Sequence, residues 1–430
     1  MAGQYLENPR GTCTLGGAAV TLNAISGTVP IFHTGPGCPM MTSLGQAAHG
    51  GIKGTAGRIG APCSVMLEKE IVFGGLDRLR ETIEGTLEVF DGDLYAVISG
   101  CAAGIIGDDS QSVVSEFKER DVPIVYVDAS GFKGDVYSGY NATLLSLIKS
   151  EVEPRSEKTP NLVNIFGIVP TQDLYWHGNL REIKRLLAGI GVDANIFFGN
   201  GIDGVRELRN AASASLNIFF SSWVGRGAEE LLRNKFGQET LRLDSYPIGP
   251  TETTKFLREV SSVLGIDSKR AESFIESEES YIYDFYSGIA QLSSIQHHIG
   301  IIGDAHTIVS TLRFLVNDFS QIPVLAIVTD KVDDPADREA ITAAIQKLEY
   351  WKKPDVLYER DQWNIAKIIS EYSDDLTQLY GSQLDRLIAR ENKLGFVNHT
   401  FPNSEKLVLD KSYAGYKGSL SIIEDAMNNK

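Results

Sequence analysis

Short apolar runs rich in β-branched residues alternate along this chain with longer stretches whose apolar positions recur every three or four residues. The first kind predicts strands and the second amphipathic helices. The opening block predicts strands near Val29–His33, Leu94–Ile98 and Ile124–Val127, with helices near Glu70–Leu87 and Ser110–Arg120. The charged stretch Glu151–Pro160, with prolines at Pro154 and Pro160, reads as a linker. A second block starts at Asn164-Ile-Phe-Gly-Ile-Val. It continues through a helix at Asn179–Gly189, a strand at Ala194–Phe198 and a strand–helix unit at Leu216–Phe236, and residues 251–296 are mostly helical. A third block opens with Gly300-Ile-Ile-Gly303-Asp304-Ala-His306, followed by a helix to Phe319 and strands at Pro323–Val328 and Asp355–Tyr358. The stretch from Lys393 ends in an amphipathic helix. Strands alternating with helices imply parallel sheets wrapped by helices, an α/β chain of doubly wound units. The expected division is 1–155, 156–296, 297–392 and a C-terminal segment 393–430 that returns to the core or an interface.

At 430 residues the chain is too long for one core, which agrees with roughly three domains. A formal charge of −16 argues against a nucleic-acid groove, which needs a basic face. The apolar runs are too short to span a bilayer, so no membrane partner is expected. The start, Met-Ala-Gly-Gln-Tyr-Leu-Glu, has neither the basic beginning nor the apolar core of a signal peptide, and the sparse cysteines suit a reducing, cytoplasmic setting. There is no GxxxxGK[ST] loop for ATP phosphates. The segment Gly199-Asn-Gly201-Ile-Asp-Gly204 matches only part of a dinucleotide fingerprint and reads more readily as an ordinary turn between strand and helix. Asp304, at a predicted strand end, suits either a ligand site or a helix N-cap.

The chemistry concentrates in three cysteines. Cys13 lies in Pro-Arg-Gly-Thr-Cys-Thr, Cys38 in His33-Thr-Gly-Pro-Gly-Cys-Pro, and Cys101 in Ser-Gly-Cys-Ala-Ala-Gly-Ile-Ile-Gly-Asp-Asp. The first two sit in glycine-rich turns and the third follows a predicted strand. Thiolates at separated loop ends are what a fold needs to grip a soft iron–sulfur cluster from several sides. No CxxC pair exists, so a zinc ribbon or ferredoxin run is a poor fit. On spacing alone, buried free thiols are the readier account of them. Four cysteines in so long a chain make no disulfide scaffold.

Four phrases resemble the large-subunit family of nitrogenase component 1. They are His33-Thr-Gly-Pro-Gly-Cys38, Glu68-Lys-Glu70-Ile-Val-Phe-Gly-Gly75, Cys101-Ala-Ala-Gly-Ile-Ile-Gly-Asp-Asp109 and Ser412-Tyr-Ala-Gly-Tyr-Lys-Gly418, in the family's order. The resemblance implies three Rossmann-like domains around a cluster site. It also implies an 8Fe-7S P-type cluster shared with a homologous α-type partner, to which Cys13, Cys38 and Cys101 would be this chain's ligands. Cys63 has no such counterpart and is expected not to bind. Ser130, in Asp-Ala-Ser-Gly-Phe-Lys-Gly, resembles the β-type serine whose oxygen reaches iron on oxidation, although a turn serine bonded to its own backbone fits equally. His33 is expected either to tune the cluster or to hold its turn.

The family's α-type subunit binds the large active-site cofactor through a cysteine in domain two and a C-terminal histidine. Here the corresponding passage, Leu216-Asn-Ile-Phe-Phe-Ser221-Ser222-Trp-Val-Gly, has no cysteine. His399 reads as an ordinary surface or interface histidine. The resemblance therefore implies a β-type subunit in an α2β2 heterotetramer, with the large cofactor in the partner and no catalytic residue of its own. Electrons are expected from an ATP-dependent iron protein. Only twelve residues precede Cys13, and Thr-Gly-Pro-Gly-Cys38 departs from the turn familiar in true nitrogenases. Both departures point to a nitrogenase-like reductase, with methylthio-alkane reductases the best match. An alternative nitrogenase and a cofactor-assembly scaffold are the other readings. A dark-operative protochlorophyllide reductase fits less well, since three cysteines exceed the needs of its four-iron cluster.

Overall fold

The computed structural model describes residue 8 and residues 10–48, 61–289 and 296–428. Their strands fall into three sheets. The first, in order β1-β2-β3, is built from β1 (Thr28–His33), β2 (Leu94–Ser99) and β3 (Ile124–Asp128). The second comprises β4 (Thr159–Phe166), β5 (Asp193–Asn195), β6 (Ala214–Phe220) and β7 (Glu239–Leu243), in order β5-β4-β6-β7. The third comprises β8 (His298–Gly303), β9 (Ile322–Val328), β10 (Asp355–Tyr358), β11 (Gln378–Gly381) and β12 (Gly395–Asn398), in order β10-β9-β8-β11-β12. Every pairing is parallel. Helices cover the faces, so β1 and β2 are buried along their whole length, as their unbroken apolar runs require. The α/β parallel architecture expected from the periodicity is the one observed. No helix among the described residues is long and apolar enough to cross a membrane.

Several elements differ from expectation for local reasons. The helix expected over Glu70–Leu87 is two helices, Glu68–Phe73 and Leu76–Val89, parted at Gly74, whose φ of +92° no ordinary helix admits. The strand expected at Ala194–Phe198 stops at Asn195 because the Glu207 carboxylate takes the Ile196 and Phe197 N–H groups, at 3.0 and 2.9 Å. The short strands β7, β11 and β12 were not legible as apolar runs. Since β12 lies beyond residue 392, the third sheet draws its edge strand from the stretch assigned to the C-terminal segment. Asp304 caps the helix Ala305–Arg313 through the Thr307 N–H, and Asp203 caps Gly204–Arg209 through the Arg206 N–H. Those phrases are therefore explained as helix starts.

The Ser412-Tyr-Ala-Gly-Tyr phrase acts as a clasp between the second sheet's helices and the chain's last helix, Gly415–Asn428. Asn179, fully buried on the helix Trp176–Gly189, accepts the N–H groups of Tyr413 and Ala414 at 2.8 and 2.9 Å and donates to Asp173 at 2.9 Å. The Tyr413 ring stacks on Tyr175, centroids 3.7 Å apart, and on His399 at 4.9 Å. His399 is therefore not a surface or interface histidine. It is buried, its Nε2 lies 2.6 Å from the Thr311 hydroxyl, and burial pushes its pKa down to about 3, so the ring stays neutral. Asn179→Ala would strand two buried N–H groups at a cost of about 3 kcal/mol. Urea denaturation should show that loss as a lower midpoint with an unchanged slope.

Candidate functional site

Parallel strands end on one edge of their sheet, where α/β proteins place ligands. In the first sheet, β1 ends at His33 and a short turn leads to Cys38, Cys101 opens the helix that follows β2, and the loop after β3 carries Ser130 and Gly131. Cys13 joins them from the N-terminal helix Thr14–Asn23, of which it is the N-cap. That helix lies almost in backbone contact with the helix Val136–Ser150. A Cβ on Gly17 would fall 2.3 Å from the Val136 carbonyl oxygen, and one on Gly139 would fall 2.2 Å from that of Thr14. The Thr14 N–H bonds the Gly134 carbonyl at 3.2 Å, and Cys13 bridges Asp135. Two glycines thus bring Cys13 over the loop that follows β3.

The sulfurs of Cys13 and Cys101 converge there. The Gly131 N–H points at the Cys101 Sγ at 3.2 Å. A Cβ on Gly131 would stand 3.0 Å from that sulfur and 3.1 Å from the Cys13 Sγ, so the absence of a side chain keeps the space between the two thiols open. Cys38, the second residue of the helix Gly37–Ala48, lies beyond Thr34, whose hydroxyl is 3.7 Å from its Sγ. The Thr34 side chain also abuts Gly100, next to Cys101. All three thiols are exposed, and each stands at the start of a helix, the end that favours negative charge. Among the described residues no three His, Cys, Asp or Glu side chains close on a single metal ion, so the three thiols form no tight triad.

Beneath that face the glycine and acid phrases knot together. Asp108 Oδ2 accepts the Gly75 N–H at 2.9 Å and lies 3.1 Å from His33 Nε2, while His33 Nδ1 lies 2.9 Å from the Ser64 hydroxyl. A Cβ on Gly75 would come within 2.9 Å of His33 and 2.8 Å of Asp108, which accounts for the second glycine of that phrase. Burial, only partly offset by Asp108, pushes the His33 pKa down. Both ring nitrogens are taken by Ser64 and Asp108, so His33 holds the turn rather than a sulfur.

Ser130 is fully buried. Its hydroxyl donates to the Gly100 carbonyl at 3.3 Å, beneath the helix Cys101–Ile106, and so joins the Cys101 loop to the Gly131 loop. Cys63 sits on a short stretch paired alongside β1, its Sγ 3.4 Å from both the Thr34 carbonyl oxygen and the Val65 nitrogen. Burial pushes its thiol up, and Cys38 is near enough to add to the effect. In the second sheet, the Ser221 hydroxyl after β6 accepts the N–H groups of Trp223 and Val224 at 3.1 and 2.8 Å. One participant missed by sequence reasoning is Arg10. It is 2 % exposed and paired with Asp385, and nothing in the local sequence signals either.

Residues 13–429 match the family described as nitrogenase component 1 type oxidoreductase. The chain belongs to that family. Among curated proteins it is 25% identical to the nitrogenase vanadium-iron protein beta chain of Trichormus variabilis, over 96% of this chain and 91% of that one. It is 24% identical to the nitrogenase iron-molybdenum cofactor biosynthesis protein NifE of Clostridium pasteurianum, over 96% and 86%. It is also 23% identical to the nitrogenase iron-iron protein beta chain of Rhodobacter capsulatus, over 98% and 93%. The solved structure of nitrogenase Cp1 at pH 6.5 superposes with a TM-score of 0.83 at 20% identity, covering all of this chain and 94% of that one, and so shares the nitrogenase component 1 fold. The family resemblance drawn from the four phrases thus holds over nearly the whole chain.

Proposed function

We propose that this chain is the β-type subunit of a nitrogenase-like reductase, holding its half of an 8Fe-7S P-type cluster through Cys13, Cys38 and Cys101. The observation that carries this reading is the convergence of the exposed Cys13 and Cys101 thiols on the gap over Gly131, with the exposed Cys38 thiol beyond Thr34. A polynuclear cluster is gripped at several irons, so it needs no tight triad of thiols. Thiolates are the soft ligands such clusters take, and the Gly131 N–H, aimed at a sulfur, suits its negative charge. When bound, the cluster accepts and releases electrons one at a time. This chain's residues hold its sulfurs in place: Ser130 and Gly100 tie the loops, and the His33–Asp108 knot stiffens the turn that bears Cys38.

The same face is apolar. Phe73 is 83 % exposed and Ile105 74 %, with Phe132, Val72 and Met41 also exposed. Such a patch beside open thiols calls for a covering partner, and we assign it to a homologous α-type subunit in an α2β2 assembly. An ATP-dependent iron protein would supply the electrons. The large active-site cofactor belongs to the partner in this reading. In this chain Ser221 is committed to backbone N–H groups and His399 is locked in an aromatic cage, so neither is placed as a ligand.

For the substrate we propose reduction of a carbon–sulfur bond, as in the methylthio-alkane reductases. Identities of 25%, 24% and 23% to vanadium-iron, molybdenum-iron and iron-iron beta chains favour no one of these nitrogenases. The Thr-Gly-Pro-Gly-Cys38 turn agrees with a separate branch. The NifE relative supports a second reading, a scaffold on which a cofactor is assembled.

In the complex purified anaerobically with its partner, Cys13→Ala, Cys38→Ala and Cys101→Ala should each lower iron content and disrupt the redox signal, while Cys63→Ala leaves both intact. Gly131→Ala is the sharper probe: the iron-free chain should melt near the wild-type temperature, yet iron loading should fall. Full iron with an unchanged spectrum in Cys101→Ala would remove the ligand assignment.

Supplied with iron protein and ATP, the complex should release methanethiol and a hydrocarbon from methylthioethanol. Ammonia from dinitrogen would instead favour an alternative nitrogenase. A complex inert to both, but able to load a separate apo-enzyme, would leave the scaffold reading.

A further inference from the structure

Cys13 is suspended between two anchors. Its C-terminal side is fixed within the first sheet's layer, through Thr14 N–H to the Gly134 carbonyl and the bridge to Asp135. Its N-terminal side crosses Thr12, whose side chain rests over Gly16 of the helix Thr14–Asn23, and Gly11, which offers no grip. Thr12 is exposed, and a Cβ on Gly11 would meet nothing within 4 Å. The chain is next held at Arg10, and that hold is on the third sheet's side of the molecule. The Arg10 guanidinium donates to Gln362 Oε1 at 3.2 and 2.7 Å, to Ser382 Oγ at 3.0 Å, and to the Asp385 carboxylate, with which it forms an ion pair 1 % and 0 % exposed. Asp385 is fixed in turn by the Ser382 N–H at 2.9 Å and closes against Gly381, where a Cβ would fall 2.5 Å from its Oδ2. Gln362 opens the helix Gln362–Glu371, and Ser382 follows β11.

A planar fork with all three of its nitrogens engaged is a rigid clamp, which a lysine could not reproduce. An arginine this buried, three residues from an exposed thiol, does more than add charge to a tail. We propose that Arg10 is the positioning residue for Cys13: clamped to Asp385, Gln362 and Ser382, it sets where the Cys13 sulfur stands over Gly131, and it makes that placement depend on the third sheet. This rests on the reading of Cys13 as a cluster ligand. It adds that one of the three ligands is referenced to the third layer as well as to the first, so the geometry at the cluster registers how the two layers sit together.

The test uses Arg10→Gln, Asp385→Asn and the double variant in the full chain with its partner, each compared with wild type. In the single variants an unpaired buried charge lowers the melting temperature, whereas the double variant carries no unpaired charge and should recover much of it. If Arg10 only stabilised the fold, the cluster's spectrum would recover with the melting temperature. The clamp predicts otherwise: all three variants bind iron, share an altered electron paramagnetic resonance signature, and lose iron to a chelator about tenfold faster than wild type. Arg10→Lys should not restore the wild-type signature.

A second measurement needs no cluster. Amide hydrogen exchange of the iron-free chain should be about tenfold faster at Thr12–Thr14 in Arg10→Gln, with β1 and β2 unchanged. Unchanged exchange there overturns the clamp whatever the cluster does. Faster exchange in a protein that never binds iron sustains the clamp and rejects the ligand assignment instead. Wild-type spectra and iron release in the double variant would also overturn the proposal.

Discussion

Everything at this site depends on strand direction. Because β1, β2 and β3 run parallel, their three following loops must emerge on one edge, and residues far apart in sequence are forced into one neighbourhood. The sheet delivers the loops but does not fix their tips. The buried contact of His33 with Asp108 does much of that, with the Gly75 N–H as third member. Burial keeps the His33 pKa low, so the contact is a hydrogen bond in a dry interior more than an ion pair, and its strength lies in the cost of leaving either group unpaired.

Glycines do the complementary work of keeping space empty. At Gly17 and Gly139 the missing side chains let two helices meet backbone to backbone, which places Cys13. At Gly131 the missing side chain leaves room between two sulfurs. Gly74, with its left-handed backbone, breaks one predicted helix into two and turns the chain so that the apolar residues ahead of it face outward while Gly75 reaches the buried knot. The glycines are therefore not one kind of feature: Gly17 and Gly139 are close approaches of backbone, Gly74 is a turn, and Gly131 keeps a side chain from between two sulfurs.

Much of this was legible in the sequence. Apolar runs such as Leu94–Ser99 and Ile322–Val328 announced parallel strands, and the cysteine phrases announced the family and fall together at one edge of the first sheet. What stayed hidden was long-range. Arg10 meets Asp385 across 375 positions, and nothing in Asn-Pro-Arg-Gly distinguishes a clamped arginine from a solvated one. His399 was misread for the same reason, since its aromatic cage is assembled from Tyr175, Tyr380 and Tyr413. The strands β7, β11 and β12 escaped because they are short and their side chains mix polar with apolar residues. The Ser412-Tyr-Ala-Gly-Tyr phrase carried family identity while serving only as a clasp, which shows that a phrase can be diagnostic without touching the chemistry.

The central claim is that the face around Gly131 is half of a cluster site. Anomalous diffraction at the iron edge, from crystals of the complex grown without oxygen, locates the metal directly. The account predicts a compact group of iron peaks at the interface with the partner, bonded to the sulfurs of Cys13, Cys38 and Cys101, with Cys63 outside bonding distance. Iron absent from this face in an active complex, or iron bonded to Cys63 in place of any of the three, would contradict it.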